Sequence, residues 1–240
     1  MTAMSGRDRL ATKRARLVWD LPVRLFHWVL VIAVIGAFVT NRLGVAYFEY
    51  HLWCGYAVLV AVAFRFLWGF FGTRHALFVN FVRGPREIWR YGRALLRGRE
   101  PVYAGHNPLG GLMVVALLAA LGVQAGLGMF SNDEIFNAGP FNTLLGTHLS
   151  QIVSSLHRRL FYGIAIAIAL HVAAVLLHQL GRGEDLLRGM VTGRKRVYGE
   201  PGESEASSFR LWLALILVAT VTAVLVLALA LAPAPITSDI

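Results

Sequence analysis

The sequence predicts an all-α integral membrane protein whose chain crosses the bilayer five times. Of its 240 residues, 57% are hydrophobic and only 15% are charged, and the mean hydropathy is +0.60. Soluble domains of this length are less apolar. Five apolar stretches are each long enough to cross about 30 Å of hydrocarbon as a helix. They cover about residues 22–42, 50–71, 108–130, 156–179 and 209–232.

Composition shifts along the chain predict how it is organised. In order, we expect a basic N-terminal arm (1–21), a membrane domain with the first four spans (22–196), an acidic linker (197–208), the fifth span (209–232) and an external tail (233–240). The first span lacks a small-residue cleavage site, so we predict no removable signal peptide. Asp20 with Pro22, and Asn107 with Pro108, are typical N-cap and first-turn residues for the first and third spans.

The distribution of positive charge predicts the orientation of the chain. Nineteen of the 23 Lys and Arg residues fall in the segments 1–24, 74–99 and 182–210, whereas Arg42, Arg158 and Arg159 lie on the opposite side. By the positive-inside rule, this asymmetry places the N-terminus in the cytoplasm and the C-terminus outside. The basic residues are split among loops, which argues against nucleic-acid binding despite the net charge of +10.

The longest inner connection carries one further pattern. Its segment WRYGRALLRGR, residues 89–99, predicts a basic amphipathic helix that lies on anionic membrane lipid. The alternative is a solvated linker.

The fourth span carries an unusual set of histidines. His157, His171 and His178 lie in LHRRLFYGIAIAIALHVAAVLLH, an almost uncharged stretch. Histidine within a membrane span is costly and therefore indicates a functional site. His157 and His171 are 14 residues apart, which on a helix returns to within about 40° of the same face, about 21 Å further along the axis. One helix can thus offer one ligand near each membrane surface.

Depth in the membrane sorts the candidate ligands into two pairs. His51 opens the second helix and His157 the fourth, both at the outer face, whereas His27 and His171 lie toward the inner face. We therefore predict an outer haem between His51 and His157 and an inner haem between His27 and His171. Protein would fill both axial positions of each iron, which favours electron transfer over oxygen activation. Zinc ligation, a proton relay and ordinary interfacial polar residues are the alternatives, but no HExxH motif or comparable cluster appears.

Arginines are predicted to neutralise the haem propionates. Arg65 follows His51 by 14 residues and so lies at the depth of the inner pair. Arg158 and Arg159 can do the same at the outer pair. The third span also carries Gly122, Gly126 and Gly128, small residues that let a neighbouring helix or a flat ring approach closely.

Three other histidines have open roles. His106 either approaches the inner haem edge or shapes the loop before the third span. His178 either serves a quinone site or a propionate, or contacts headgroups. His148 is a rival of His157 as outer ligand, and we prefer His157.

These motifs together resemble the bacterial cytochrome b561 family, which includes the b-type cytochrome subunits of nickel-iron hydrogenases. The resemblance spans about residues 17–196 and rests on LFHW, YHLWCGY, FRFLWGFFGTRHALFVNFVRGPR, GHNPLGG and the fourth-span sequence. It implies a four-helix bundle in the bacterial inner membrane that holds two haems b, with axial ligands at His27, His51, His157 and His171. The fifth helix is extra to that pattern. Arg158 and Arg159 are a second departure, because family members often have an acidic residue after the outer histidine.

The resemblance also implies a function. Electrons would pass between a membrane quinone, ubiquinone or menaquinone, and a partner on the outer face, either a periplasmic cytochrome or a redox subunit of the same complex. The alternative is a stand-alone superoxide:quinone oxidoreductase, for which Arg158 and Arg159 would attract the small anion. The sequence predicts no catalytic side chain and leaves open whether the chain is an enzyme and whether it forms homo- or hetero-oligomers.

Overall fold

The computed structural model describes residues 14–101, 103, 105–133, 137–197 and 210–233. Within these residues, five helices are long and apolar enough to cross a membrane, which confirms the predicted number. They are α1 (Leu21–Leu43), α2 (Phe48–Phe71), α5 (Pro108–Phe130), α6 (Thr147–Arg182) and α8 (Leu211–Ala230). Most of the predicted N-terminal arm, acidic linker and external tail lies outside the described residues.

Shorter elements connect these helices. They are β1 (Arg14–Leu17), α3 (Phe78–Phe81), α4 (Pro85–Leu96), α7 (Leu186–Thr192) and β2 (Arg194–Val197), with single 3-10 turns at Val45–Tyr47 and Asn142–Leu144. The helix α4 confirms that residues 89–96 of the segment predicted as a basic amphipathic helix are helical, whereas residues 97–99 lie beyond its end. The sequence did not predict the ribbon in which β1 pairs antiparallel with β2. This ribbon joins the chain before α1 to the chain after α7.

The long helices alternate in direction, so the bundle has two ends. We call the end where α1, α5 and α8 begin the proximal end, and the end where α2 and α6 begin the distal end. Helix α2 packs on α1, α5 and α8, and α5 packs on α6. A cluster of Ala33, Val58, Leu121, Ala125 and Ile164 fills the middle of the bundle. Many apolar side chains on the outer faces are exposed, as a lipid-facing surface requires.

Both predicted helix starts are confirmed. The Asp20 carboxylate accepts a hydrogen bond from the backbone N–H of Val23 at 2.7 Å, and the Asn107 side chain accepts one from Gly110 at 2.7 Å. Asp20 does more than cap α1, because its second oxygen accepts hydrogen bonds from Trp68 Nε1 at 3.0 Å and Thr73 Oγ1 at 2.6 Å. This buried carboxylate therefore ties the start of α1 to the end of α2.

Helix α6 differs from the predicted span because it begins nine residues earlier, at Thr147. Two buried serines hold this polar extension against the end of α5. Ser150 Oγ donates to the Phe130 carbonyl at 3.2 Å, and Ser154 Oγ accepts from the Asn132 N–H at 2.8 Å. Because of the extension, His157 lies about 15 Å from the start of its helix.

Candidate haem-binding sites

His51 and His157 meet near the distal end of the bundle. Their rings lie on α2 and α6, and the ring centroids are 6.3 Å apart with the planes at 88°. His148, the predicted rival of His157, is exposed in the first turn of α6. In the structure, the two histidines that were paired by their predicted depth in the membrane therefore lie close together.

Backbone carbonyls orient both of these imidazoles. His51 Nδ1 lies 2.8 Å from the Ala37 carbonyl oxygen on α1, and His157 Nδ1 lies 2.9 Å from the Gln124 carbonyl oxygen on α5. A carbonyl oxygen only accepts, so each Nδ1 must carry the proton, which leaves Nε2 with the lone pair. A hydrogen bond from the second ring nitrogen is the usual support of a metal-ligating histidine.

The spacing of the distal pair fits two imidazoles that would hold one haem iron. Two imidazoles that bind one metal from opposite sides, through metal–nitrogen bonds of about 2 Å, have ring centres roughly 6 Å apart. The observed separation is 6.3 Å. Within the described ranges, no three His, Cys, Asp or Glu side chains converge on one point, which makes a multi-ligand zinc site a poorer match.

Two glycines make room around this pair. A Cβ on Gly128 would lie 3.1 Å from His157 Cε1, closer than an ordinary contact, so glycine lets α5 pass the ring without displacing it. Gly55 is half-buried one turn beyond His51 on the same helix face, and no atom outside its own stretch of helix lies within 4 Å of its Cβ position. The predicted close approach at Gly128 is thus to a histidine ring, whereas a Cβ on Gly122 would meet Val62.

The predicted residues of the inner site lie toward the proximal end. His27 and His171 are close enough for electrostatic interaction between their rings. The His106 ring likewise interacts electrostatically with Arg65 and His171. Buried polar atoms without a hydrogen-bond partner include Nδ1 of His27, Nδ1 of His106 and Nη1 of Arg65. Unpaired buried donors are uncommon in folded proteins, so this region fits a polar or anionic group of a cofactor.

Arg65 is almost fully buried, with 2% of its surface exposed. Its guanidinium lies over the rings of Phe78 and Phe81, at 5.2 and 5.7 Å from their centroids. It also interacts electrostatically with Asp20, whose carboxylate oxygens already accept three hydrogen bonds. The Nη1 donor of Arg65 therefore stays available for a carboxylate such as a haem propionate.

His106 packs into the proximal end instead of only shaping its loop. Its ring contacts Trp19 and Phe81, with centroid distances of 4.6 and 4.8 Å. Burial, and to a smaller extent the positive charge of Arg65, lowers the pKa of His106 to about 3. The imidazole is therefore neutral at physiological pH.

His178 belongs to a polar cluster that sequence reasoning missed. Its Nδ1–H donates to Glu184 at 2.9 Å, and the ammonium of Lys195 donates to the other oxygen of Glu184 at 2.8 Å. Burial raises the pKa of Glu184, but the hydrogen bonds from Lys195 and His178 outweigh it and hold that pKa below its ordinary value. The only signal in the sequence is an acidic pair, Glu184 and Asp185, inside a basic segment.

The remaining predicted residues lie on the surface. Arg158 and Arg159 are exposed beside His157, in the distal half of α6. They therefore carry positive charge to the face next to the distal histidine pair.

Comparisons with known proteins show which family the chain resembles. A family model described as prokaryotic cytochrome b561 matches residues 18–193. A probable Ni/Fe-hydrogenase B-type cytochrome subunit of Azotobacter vinelandii is 26% identical over 223 residues, which cover 78% of this chain and 91% of the relative. A protein of the same description from Bradyrhizobium diazoefficiens is 22% identical over 228 residues, covering 82% and 92%. No solved structure matches the chain. Because the family model covers most of its length, the chain belongs to the prokaryotic cytochrome b561 family and is a multi-pass membrane b-type cytochrome.

Proposed function

We propose that this protein is a di-haem cytochrome b that passes electrons across the membrane between a quinone and a partner redox protein. Membership of the b-type cytochrome family supplies haem b and electron transport. The number of haems, their ligands, the quinone and the partner are the proposal. The observation that carries it is the His51–His157 pair, with its 6.3 Å ring separation and its two Nδ1–carbonyl hydrogen bonds.

Four histidines would hold the two haems. His51 and His157 would bind the distal iron, and His27 and His171 the proximal iron. Haem b, when bound, supplies reversible one-electron chemistry at iron. The rigid helix α6 would fix the two sites relative to each other, since His157 and His171 are about 21 Å apart along its axis.

The remaining residues would orient and insulate the haems. Arg65 would bind a propionate of the proximal haem, because it is buried with an unpaired Nη1 donor and the Asp20 oxygens are already engaged. His106, held neutral by burial, would pack near the same haem without adding charge. At the distal site Arg158 would face the propionates from an exposed position.

The distribution of charge supports an orientation. The basic segments before α1, between α2 and α5, and after α6 all join helices at the proximal end. By the positive-inside rule, the proximal end would face the cytoplasm and the distal end the periplasm. Under this proposal α8 crosses the membrane once more, so that the C-terminus is periplasmic.

The relatives suggest the kind of partner. They are described as probable cytochrome subunits of Ni/Fe-hydrogenases, so we propose that a periplasmic redox subunit or cytochrome docks at the distal end. At the proximal end, His178 hydrogen-bonded to Glu184 would exchange protons with ubiquinone or menaquinone.

The experiment is reduction of the purified, haem-loaded protein by decylubiquinol. We expect the visible spectrum of reduced low-spin haem b to develop, and more slowly in His178→Ala than in His148→Ala, the exposed control. A haem-loaded protein that decylubiquinol leaves oxidised would contradict the quinone part of the proposal.

One observation favours a second candidate, a stand-alone superoxide:quinone oxidoreductase. Arg158 and Arg159 are exposed beside the distal histidine pair, where they would attract a small anion. Quinone reduction by the purified protein alone under a flux of superoxide, lost in Arg158→Gln/Arg159→Gln, would support this candidate. No reduction under these conditions would leave the partner-subunit proposal.

A further inference from the structure

A basic hollow lies on the surface of α4, away from the histidines. It has a volume of about 430 Å³. Its lining residues are Trp89, Arg90, Arg93, Ala94, Arg97 and Arg99. On a helix, residues spaced by three and four share a face. The first five of these lining residues therefore form one stripe along α4 and its C-terminal cap.

The chain turns back to complete this hollow. Helix α4 ends at Leu96, and Gly98 adopts a left-handed conformation with φ of +63°. The N–H of Arg99 then donates to the Ala94 carbonyl at 2.9 Å, which returns Arg99 to the stripe. A glycine is the residue that adopts this conformation without strain. The fourth arginine is therefore placed by the backbone.

None of the four guanidinium groups forms an ion pair with a carboxylate in the part of the chain that the structure describes. The two carboxylates between α2 and α5 already have partners, because Glu87 pairs with Arg83 at 3.6 Å and Glu100 pairs with Arg182. Four neighbouring positive charges repel one another, and a bound ligand with more than one negative charge would reduce this electrostatic repulsion.

The surroundings of the hollow indicate a lipid. Trp89 is 70% exposed and Leu96 is 89% exposed, whereas Tyr91 on the opposite face of α4 is buried. An exposed tryptophan beside arginines is typical of the headgroup region of a membrane. Arg also binds phosphate oxygens through two parallel hydrogen bonds.

We propose that this hollow binds one phospholipid whose headgroup carries two phosphates. The arginines would bind the phosphates, and Trp89 would lie along the glycerol and the first part of an acyl chain. This is a site of defined stoichiometry, and so it goes beyond the diffuse attraction of a basic helix to anionic lipid. It does not depend on the haem proposal.

Native mass spectrometry of the full-length protein in detergent tests the site, with tetraoleoyl cardiolipin and phosphatidylglycerol as probes at equal phosphate concentration. We expect one cardiolipin per chain, bound at least about tenfold more tightly than phosphatidylglycerol. The double variant Arg93→Gln/Arg97→Gln should lose about tenfold in cardiolipin affinity. The matched control Arg188→Gln/Arg194→Gln removes the same charge from exposed positions outside the hollow and should bind like the parent protein.

A variant that keeps every charge separates shape from electrostatics. Ala94→Phe fills the hollow and should weaken cardiolipin binding, and an unchanged melting temperature in detergent would show that the fold is intact. Equal binding of the two lipids per phosphate, or equal loss in both double variants, would reduce the site to diffuse attraction and overturn the proposal. Displacement of the lipid by inorganic pyrophosphate at similar concentration would also overturn it, because the ligand would then be a free phosphate.

Discussion

Replacing Gly128 by alanine tests the distal site through a single methyl group. The new Cβ would lie 3.1 Å from His157 Cε1 and 3.5 Å from Nδ1, whereas ordinary contacts are 3.4–4 Å. The ring must therefore move by a few tenths of an ångström, which lengthens its 2.9 Å hydrogen bond to the Gln124 carbonyl. Overpacking of this kind costs about 1–3 kcal/mol. The gain in helix propensity offsets about 0.5–1 kcal/mol of that cost in overall stability.

The effect on haem affinity follows from these magnitudes. A loss of about 1.4 kcal/mol at the His157 ligand corresponds to tenfold weaker binding of the distal haem. The assay is transfer of haem from the purified protein to excess apomyoglobin, followed by the visible spectrum. One haem per chain should leave about tenfold faster in Gly128→Ala than in the parent protein, and the other should leave at the parent rate.

The control is Gly163→Ala, on α6 beyond His157. This glycine is exposed and has no atom outside its own stretch of helix within 4 Å of its Cβ position, so the methyl group contacts no other element while the helix gains the same propensity. Identical haem transfer in the two variants would refute the argument that α5 positions the His157 ring.

Four further changes test other parts of the structure. Gly55→Leu fills the space one turn beyond His51 and should lower the haem content from two to one per chain, measured as the pyridine haemochrome. Arg65→Met should shift the redox potential of the proximal haem in a spectroscopic titration, because a buried positive charge is lost. Arg65→Lys keeps that charge and should keep the potential close to that of the parent protein. Asp20→Ala removes the acceptor of three buried hydrogen bonds and should lower the free energy of unfolding by about 3 kcal/mol, seen as a lower melting temperature. The lowered pKa of Glu184 stabilises the fold above the ordinary glutamate range, and this stability is lost as pH falls through the lowered value. Melting temperatures between about pH 6 and 3 should show that loss in the parent protein and a smaller one in Glu184→Gln.

Much of this architecture could be predicted because the membrane restricts what a sequence can do. Backbone polar groups must be satisfied within each span, so apolar length alone locates the helices. Depth then follows from helix rise, which is why His51 and His157 could be paired before any tertiary contact was known. The caps at Asp20 and Asn107 are local features that a few residues of sequence specify.

The features that could not be predicted depend on contacts between distant residues. The polar start of α6 is held by hydrogen bonds from Ser150 to the end of α5 and between Ser154 and Asn132, which are distant in sequence. The acceptor for His157 is a backbone carbonyl, which any residue at position 124 would provide. The cluster around Glu184 needs Lys195, which β2 places there by pairing with β1.

Haem content of the four single histidine variants tests the central claim most directly. The purified parent protein should carry two low-spin haems b per chain in a reduced-minus-oxidised spectrum with pyridine haemochrome quantitation. His51→Ala and His157→Ala should each lose the same haem, and His27→Ala and His171→Ala the other, with distinct potentials identifying which haem remains. A parent protein with no haem, or variants of His51 and His157 that lose different haems, would contradict the account.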